Sequence, residues 1–166
     1  MQYVPFGKTG RQVSRLGFGM MRLPTTEQDG KQVIDRGEAI RMVRRGIDAG
    51  INYVDTAYGY HGGESETVTG LALKDGYRDK VMLTTKLPQW LVQKEEDMDR
   101  LLDEQLKKLD VSTLDFYILH ALNGEAFEKM RRFNYAKFYE RAKSDGRIRQ
   151  TGFSFHDGKE AFPPII

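Results

Sequence analysis

The sequence predicts an α/β fold built on parallel strands, and three observations predict it. Short apolar runs alternate with longer amphipathic ones along the chain. The later apolar runs end at Asp55, Lys86, His120 and Ser154, at intervals of 31, 34 and 34 residues. The glycine-rich phosphate turn that a doubly wound sheet carries after its first strand is missing, since that stretch reads Gly17-Phe18-Gly19-Met20-Met21-Arg22. One βα unit of an eight-unit barrel averages about 31 residues, so a chain of 166 residues holds about five such units. The expectation is a partial (β/α)8 TIM barrel with an N-terminal β-hairpin, truncated after the fifth strand.

The elements follow in order. Tyr3 to Phe6 and Arg11 to Ser14 flank Lys8-Thr9-Gly10 and read as the hairpin. Strands are expected at Leu16 to Met20, Ile51 to Asp55, Val81 to Lys86, Leu114 to His120 and Ile148 to Ser154. The first helix, Arg36 to Ala49, carries Ile40, Val43 and Ile47 on one face and stops at Gly50, a residue suited to a left-handed helix end. A second helix spans Glu64 to Leu73. The third, Glu95 to Leu109, has Met98, Leu101, Leu102, Gln105, Leu106 and Leu109 at helical spacing, with acids opening it and Lys107 and Lys108 closing it. A helical pair covers Glu125 to Asp145. Its aromatic series Phe127, Phe133, Tyr135, Phe138 and Tyr139 reads as a buried face. The final Phe162-Pro163-Pro164-Ile165-Ile166 puts two prolines where a fifth crossover helix should grow. It reads as a truncation, with a foreign tail as the alternative.

Composition narrows the function. Lys plus Arg number 26 against 24 Asp plus Glu, leaving +2 with His neutral, and 39% of residues are hydrophobic, enough for one domain over residues 1–166 with its own core. The basic pairs sit among acids rather than in a block, which argues against a nucleic-acid partner. There is no cysteine, so a disulfide scaffold, a thiolate nucleophile, a thiolate zinc site and an iron–sulfur cluster cannot be built from this chain. Asp55, His61, His120 and His156 are the only plausible metal ligands, and they lack ligand spacing, so no metal is expected. No apolar stretch approaches the roughly 18 residues of a membrane span, and the N-terminus lacks the apolar centre of a secretory signal. The expectation is a cytoplasmic protein with no membrane partner.

In parallel α/β folds the carboxyl ends of the strands converge on one rim, where active sites lie. Asp55, Lys86 and His120 end three successive strands. One reading is a structural salt bridge between Asp55 and Lys86, with His120 a satisfied polar group of the core. The other adds Tyr60 from the loop Thr56-Ala57-Tyr58-Gly59-Tyr60-His61-Gly62-Gly63-Glu64. A phenol beside a lysine ammonium that a carboxylate holds in place is a tuned proton donor, and an imidazole opposite it could polarise a carbonyl oxygen. That site suits reduction of an aldehyde or ketone, and side chains supply no hydride, so a nicotinamide cofactor is implied. Lys86 as a Schiff-base nucleophile is disfavoured, because Asp55 and Tyr60 would keep it protonated. Trp90 either lines a substrate pocket or packs its loop.

These residues resemble the N-terminal part of an aldo-keto reductase. The motif Asp55-Thr56-Ala57-Tyr58-Gly59-Tyr60, continued by Glu64 and Gly70, is similar to the family signature; Lys86 in Thr84-Thr85-Lys86-Leu87 and His120 in Asp115-Phe116-Tyr117-Ile118-Leu119-His120 complete the tetrad. The likeness runs from about Phe6 to His156. It implies a (β/α)8 barrel whose bottom the hairpin closes, NADPH as cofactor, a small-molecule carbonyl substrate, and Asp55, Tyr60, Lys86 and His120 as the catalytic residues. It also implies nicotinamide contacts at Gly19, Met20 and Ser154. The asparagine that commonly follows that serine is Phe155 here. His61-Gly62-Gly63-Glu64 resembles a branch of the family with a cysteine-rich extension, and these 166 residues contain no cysteine. The family holds the rest of its cofactor mainly with loops after strands seven and eight, which lie beyond this sequence. Two functions therefore stand: a carbonyl reductase, or a catalytically silent partial barrel that only self-associates. In either case the exposed sheet edges predict a homo-oligomer.

Overall fold

The computed structural model describes residues 1–166. A two-stranded hairpin, β1 (Tyr3–Pro5) and β2 (Gln12–Ser14), precedes the short strand β3 (Phe18–Gly19). A second hairpin follows, β4 (Thr25–Gln28) and β5 (Lys31–Ile34). The chain then alternates: α1 (Arg36–Asp48), β6 (Tyr53–Asp55), α2 (Ser65–Ala72), β7 (Met82–Leu87), α3 (Glu96–Leu109), β8 (Leu114–Leu122), α4 (Gly124–Arg132), α5 (Tyr135–Ser144) and β9 (Ile148–Phe155). Strands β3, β6, β7, β8 and β9 form one parallel sheet in that order. Each joins beside its predecessor, without the order reversal of a doubly wound sheet.

Register explains which side chains meet. Asp55 is level with Thr84 and Lys86 with Ile118. Lys86 lies two residues past Thr84 and His120 two past Ile118, and an even offset keeps side chains on one face of a sheet. Asp55, Lys86 and His120 therefore share the face that Tyr53 and Phe116 occupy lower down. There Phe6, just after β1, packs on both rings at 5.6 and 5.0 Å between centroids, so the first hairpin covers the lower end of that face. The opposite face, with Val54, Leu83, Leu87, Tyr117 and Leu119, joins Val43, Leu101, Leu102 and Phe138 in the main apolar core.

Local chemistry fixes the helices. Asp35 caps α1 by accepting from the Glu38 N–H at 2.9 Å, and Ala39, Val43 and Ile47 are its buried stripe. Acids fill the first turn of α3 and Lys107 and Lys108 its last, matching the helix dipole. Asn123 caps α4 through the Ala126 N–H at 2.7 Å. Helix α2 meets the end of α3 so closely that a Cβ on Gly70 would stand 2.5 Å from the Leu109 carbonyl oxygen. The predicted aromatic face is buried at Phe127, Phe138 and Tyr139, with Phe133 and Tyr135 partly buried against it.

Two expected strands change their bounds and one hairpin is added. The first strand shortens from Leu16–Met20 to Phe18–Gly19, because the Ser14 hydroxyl turns back to the Leu16 carbonyl and Met20–Arg22 forms a 3-10 turn. The β4–β5 hairpin was not anticipated; Asp29 and Gly30 at its turn both have positive φ, the conformation that a two-residue Asp-Gly turn supplies. Strand β8 runs past His120 to Leu122 through an irregularity at which Ala121 takes φ 51°. After β9, as the two prolines imply, no helix forms and the chain makes only short 3-10 turns at Lys159–Ala161 and Pro163–Ile165. No helix is long and apolar enough to cross a membrane.

Candidate active site

The site grows from the end of β7. Lys86 points from that end into a nearly closed environment, its side chain 6% exposed. An ammonium has three N–H donors, and each has an acceptor: Asp55 Oδ1 at 2.6 Å, the Thr56 carbonyl at 2.8 Å and the Tyr60 hydroxyl oxygen at 3.1 Å. The Lys86 Nζ also lies 4.7 Å from the centre of the Tyr60 ring. A buried ammonium without such partners would be costly. Here the carboxylate supplies opposite charge and the two neutral oxygens complete its shell, which holds Nζ in one place.

Tyr60 opens the 3-10 turn Tyr60–Gly63. Its neighbour His61 is left-handed at φ 51°, and the His61 Nε2 accepts from the Leu23 N–H at 3.1 Å, tying this turn to the segment after β3. Below it, the Ser65 hydroxyl donates to the Met20 carbonyl at 3.1 Å and lies 2.9 Å from the Thr56 hydroxyl. These bonds fix the Thr56 carbonyl on which Lys86 rests.

His120 lies across the same space, its ring centroid 5.8 Å from that of Tyr60 in an edge-on arrangement, and Trp90 packs on it at 5.0 Å in a tilted one. The His120 Nδ1 is buried and has no hydrogen-bond partner. Burial, then the charge of Lys86, then that of His156 push its pKa down to about 4, so the imidazole is neutral near pH 7. The idea of His120 as a satisfied core group therefore does not describe it. The salt bridge between Asp55 and Lys86 exists, with Tyr60 as a third member.

The structure thus brings together all four residues proposed as catalytic from the sequence. The other three behave differently from one another. Gly19 stands level with Asp55, and the space where its Cβ would project is open. Met20 turns its side chain into the core, fully buried, and its carbonyl is taken by Ser65. The Ser154 oxygen accepts from the Ala121 N–H at 2.7 Å, directly after His120. Trp90, half-exposed at 46%, packs against the His120 ring. Thr56 and Ser65 were missed because they act through a carbonyl and a hydroxyl that no spacing rule marks.

With this geometry in place, comparison with known proteins defines the class. Residues 15–161 match the Aldo/keto reductase family model, and the chain belongs to that family. It is 33% identical over 128 residues to aldo-keto reductase YhdN of Bacillus subtilis, covering 72% of this chain and 38% of that protein. It is 31% identical over 140 residues to methylglyoxal reductase YeaE of Escherichia coli, covering 82% of this chain and 47% of that one. Among solved structures, an aldo/keto reductase from Klebsiella pneumoniae in complex with NADP and acetate superposes with a TM-score of 0.69 at 29% identity, over 92% of this chain and 49% of that one. The holo form of AKR11C1 from Bacillus halodurans gives a TM-score of 0.71 at 28% identity, over 93% of this chain and 50% of that one. The chain spans about half the length, or less, of the relatives it matches.

Proposed function

We propose that this chain carries the proton-donating half of a carbonyl reductase, in which an aldehyde or ketone is reduced with NADPH. The observation behind it is the Lys86 ammonium shared between Asp55 and the Tyr60 hydroxyl. The phenol oxygen accepts from Lys86 and keeps its own O–H free for a substrate. Asp55 keeps Lys86 charged and oriented, and Lys86 stabilises the phenolate left when Tyr60 gives up its proton. A carbonyl oxygen in the space between Tyr60 and His120 would take that proton, while an N–H of the neutral imidazole donates to the same oxygen as negative charge builds on it.

Bound NADPH would supply the hydride, which no side chain of this chain can provide. The donor set fits such a cofactor, since it provides proton donors without a reductant and leaves open space beside Gly19. We assign the nicotinamide end to the backbone at Gly19 and to the Ser154 hydroxyl, whose O–H is still available to donate; Met20, fully buried with its carbonyl held by Ser65, is left out of that set. Residues 1–166 act as one unit in this reading, an arc of a (β/α)8 barrel. The names of the relatives, a methylglyoxal reductase and a 6-dehydroglucose reductase, make small dicarbonyls and oxidised sugars the first substrates to try.

A second reading, association without turnover, draws support from the sheet. Strands β3 and β9 each pair on one side only, and Leu16, Met21 and Leu91 are exposed. It predicts a homo-oligomer through those edges. A titration followed by NADPH fluorescence separates the two. Saturable binding supports the reductase, whereas no change at millimolar cofactor together with a dimer in light scattering supports association alone.

A further inference from the structure

Behind Lys86, on the helix side of the sheet, lies a second polar cluster that the proposed chemistry does not use. Glu66 on α2, Thr85 on β7, Gln105 on α3 and Tyr117 on β8 are each 0% exposed. Thr85 donates to Glu66 Oε1 at 2.6 Å. The Gln105 amide nitrogen donates to that same oxygen, approaches the Thr85 hydroxyl at 3.1 Å and donates to the Lys86 carbonyl at 3.1 Å. The Gln105 carbonyl oxygen accepts from the Tyr117 hydroxyl at 2.7 Å. The second Glu66 oxygen has no hydrogen bond, with Lys108 Nζ 3.6 Å away, and burial raises the pKa of this carboxyl.

Burying so many polar groups is unfavourable unless each is matched, and apolar residues would fill the same space more simply. The sheet suggests what the cluster does. Pairing between β6 and β7 ends at Asp55 and Thr84. Beyond that level the tip of β7, which carries Lys86, has lost its neighbour on the β6 side. Gln105 takes up the Lys86 carbonyl there, and Thr85, one residue earlier and facing the other way, is anchored to Glu66. The strand tip is therefore gripped by a backbone carbonyl and by a side chain.

We infer that Gln105 is a positioning residue, which, with Glu66 and Tyr117 ordering it, holds the backbone of Lys86 so that its ammonium reaches Asp55 and Tyr60 together. The inference rests on the proposed reductase reading for its catalytic consequence, but its structural part can be tested without turnover.

The test uses Gln105→Met, which keeps the length and fills the space of the side chain while removing the amide, and Tyr117→Phe, which removes only the hydroxyl that orients it. Two properties are read: hydrogen exchange of the Lys86 ammonium in 15N NMR, and kcat and KM for NADPH-dependent reduction of methylglyoxal. In Gln105→Met, exchange is expected to quicken about tenfold and kcat to fall about tenfold with KM unchanged, the scale of one lost hydrogen bond. Tyr117→Phe should move both in the same direction by less. Folded variants with wild-type ammonium exchange overturn the inference, and if Gln105→Met fails to fold, Tyr117→Phe alone decides it. Altered exchange in a protein whose wild type turns nothing over supports the inference and counts against the reductase reading instead.

Discussion

The Tyr60 hydroxyl oxygen lies 3.1 Å from the Lys86 ammonium although 26 residues separate the two in sequence. The contact depends on a strand end and a 3-10 turn arriving from different βα units, and the Thr56 carbonyl between them accepts from the same ammonium. Removing the ammonium should therefore affect chemistry more than folding. Lys86→Met is expected to lower kcat by about 100-fold or more, the range for a general acid that loses its support. It should cost roughly 1–3 kcal/mol of stability, below the full penalty of a broken buried pair because the Asp55 side chain is 29% exposed. Steady-state rates and urea melts on the same preparation check both parts.

His120 gives stability a pH dependence of known sign. Its pKa is about 4 in the fold against 6.5 for the free side chain. The unfolded chain thus takes up a proton first as pH falls, and stability drops between about pH 6.5 and pH 4. Because the ring is only partly buried, the loss is expected to be roughly 1–3 kcal/mol. Urea melts at either end of that range should reveal it, and His120→Gln should reduce it by that amount. An imidazole titration by NMR with a midpoint near 6.5 would contradict the cause given.

Ala121 takes φ 51° directly after His120, and its N–H is held by Ser154 at 2.7 Å. Left-handed backbone is unfavourable for a residue with a Cβ, and more so for a β-branched one. Ala121→Val should destabilise the fold by about 2 kcal/mol, and Ser154→Ala by about 1 kcal/mol through the lost acceptor. Thermal melts test the stabilities. A displaced His120 imidazole signal in both variants tests whether this irregularity sets the ring's position.

Gly70 is where α2 touches α3. A methyl group there would meet the Leu109 carbonyl at 2.5 Å, and backbone on a packed helix end cannot give way cheaply. Gly70→Ala is expected to cost about 2–3 kcal/mol, measured by urea denaturation, despite the better helix propensity of alanine.

Much of this architecture was legible in the sequence because periodicity and strand-end chemistry are local signals. The interval from Asp55 to Lys86 to His120 follows the βα repeat, and the even offset of the sheet register converts that repeat into one shared face. The helix spanning Glu96–Leu109 was legible down to Gln105 as a member of its buried stripe. What that glutamine does there was not, because its partners Glu66 and Tyr117 come from other units and meet only on folding. The left-handed Ala121 has no composition cue, since alanine rarely takes that conformation. The hairpin from Thr25 to Ile34 did carry one, the Asp29-Gly30 pair, which lay inside a polar stretch with little apolar alternation.

In the proposed reaction Tyr60 is the group that gives up the proton. The most direct measurement is the rate of NADPH consumption with methylglyoxal, at saturating cofactor, for the wild-type chain and for Tyr60→Phe, with cofactor affinity followed in both. Saturable turnover is expected in the wild type, with a fall of about 100-fold or more in the variant and unchanged NADPH affinity. Equal rates in the two folded proteins would contradict it.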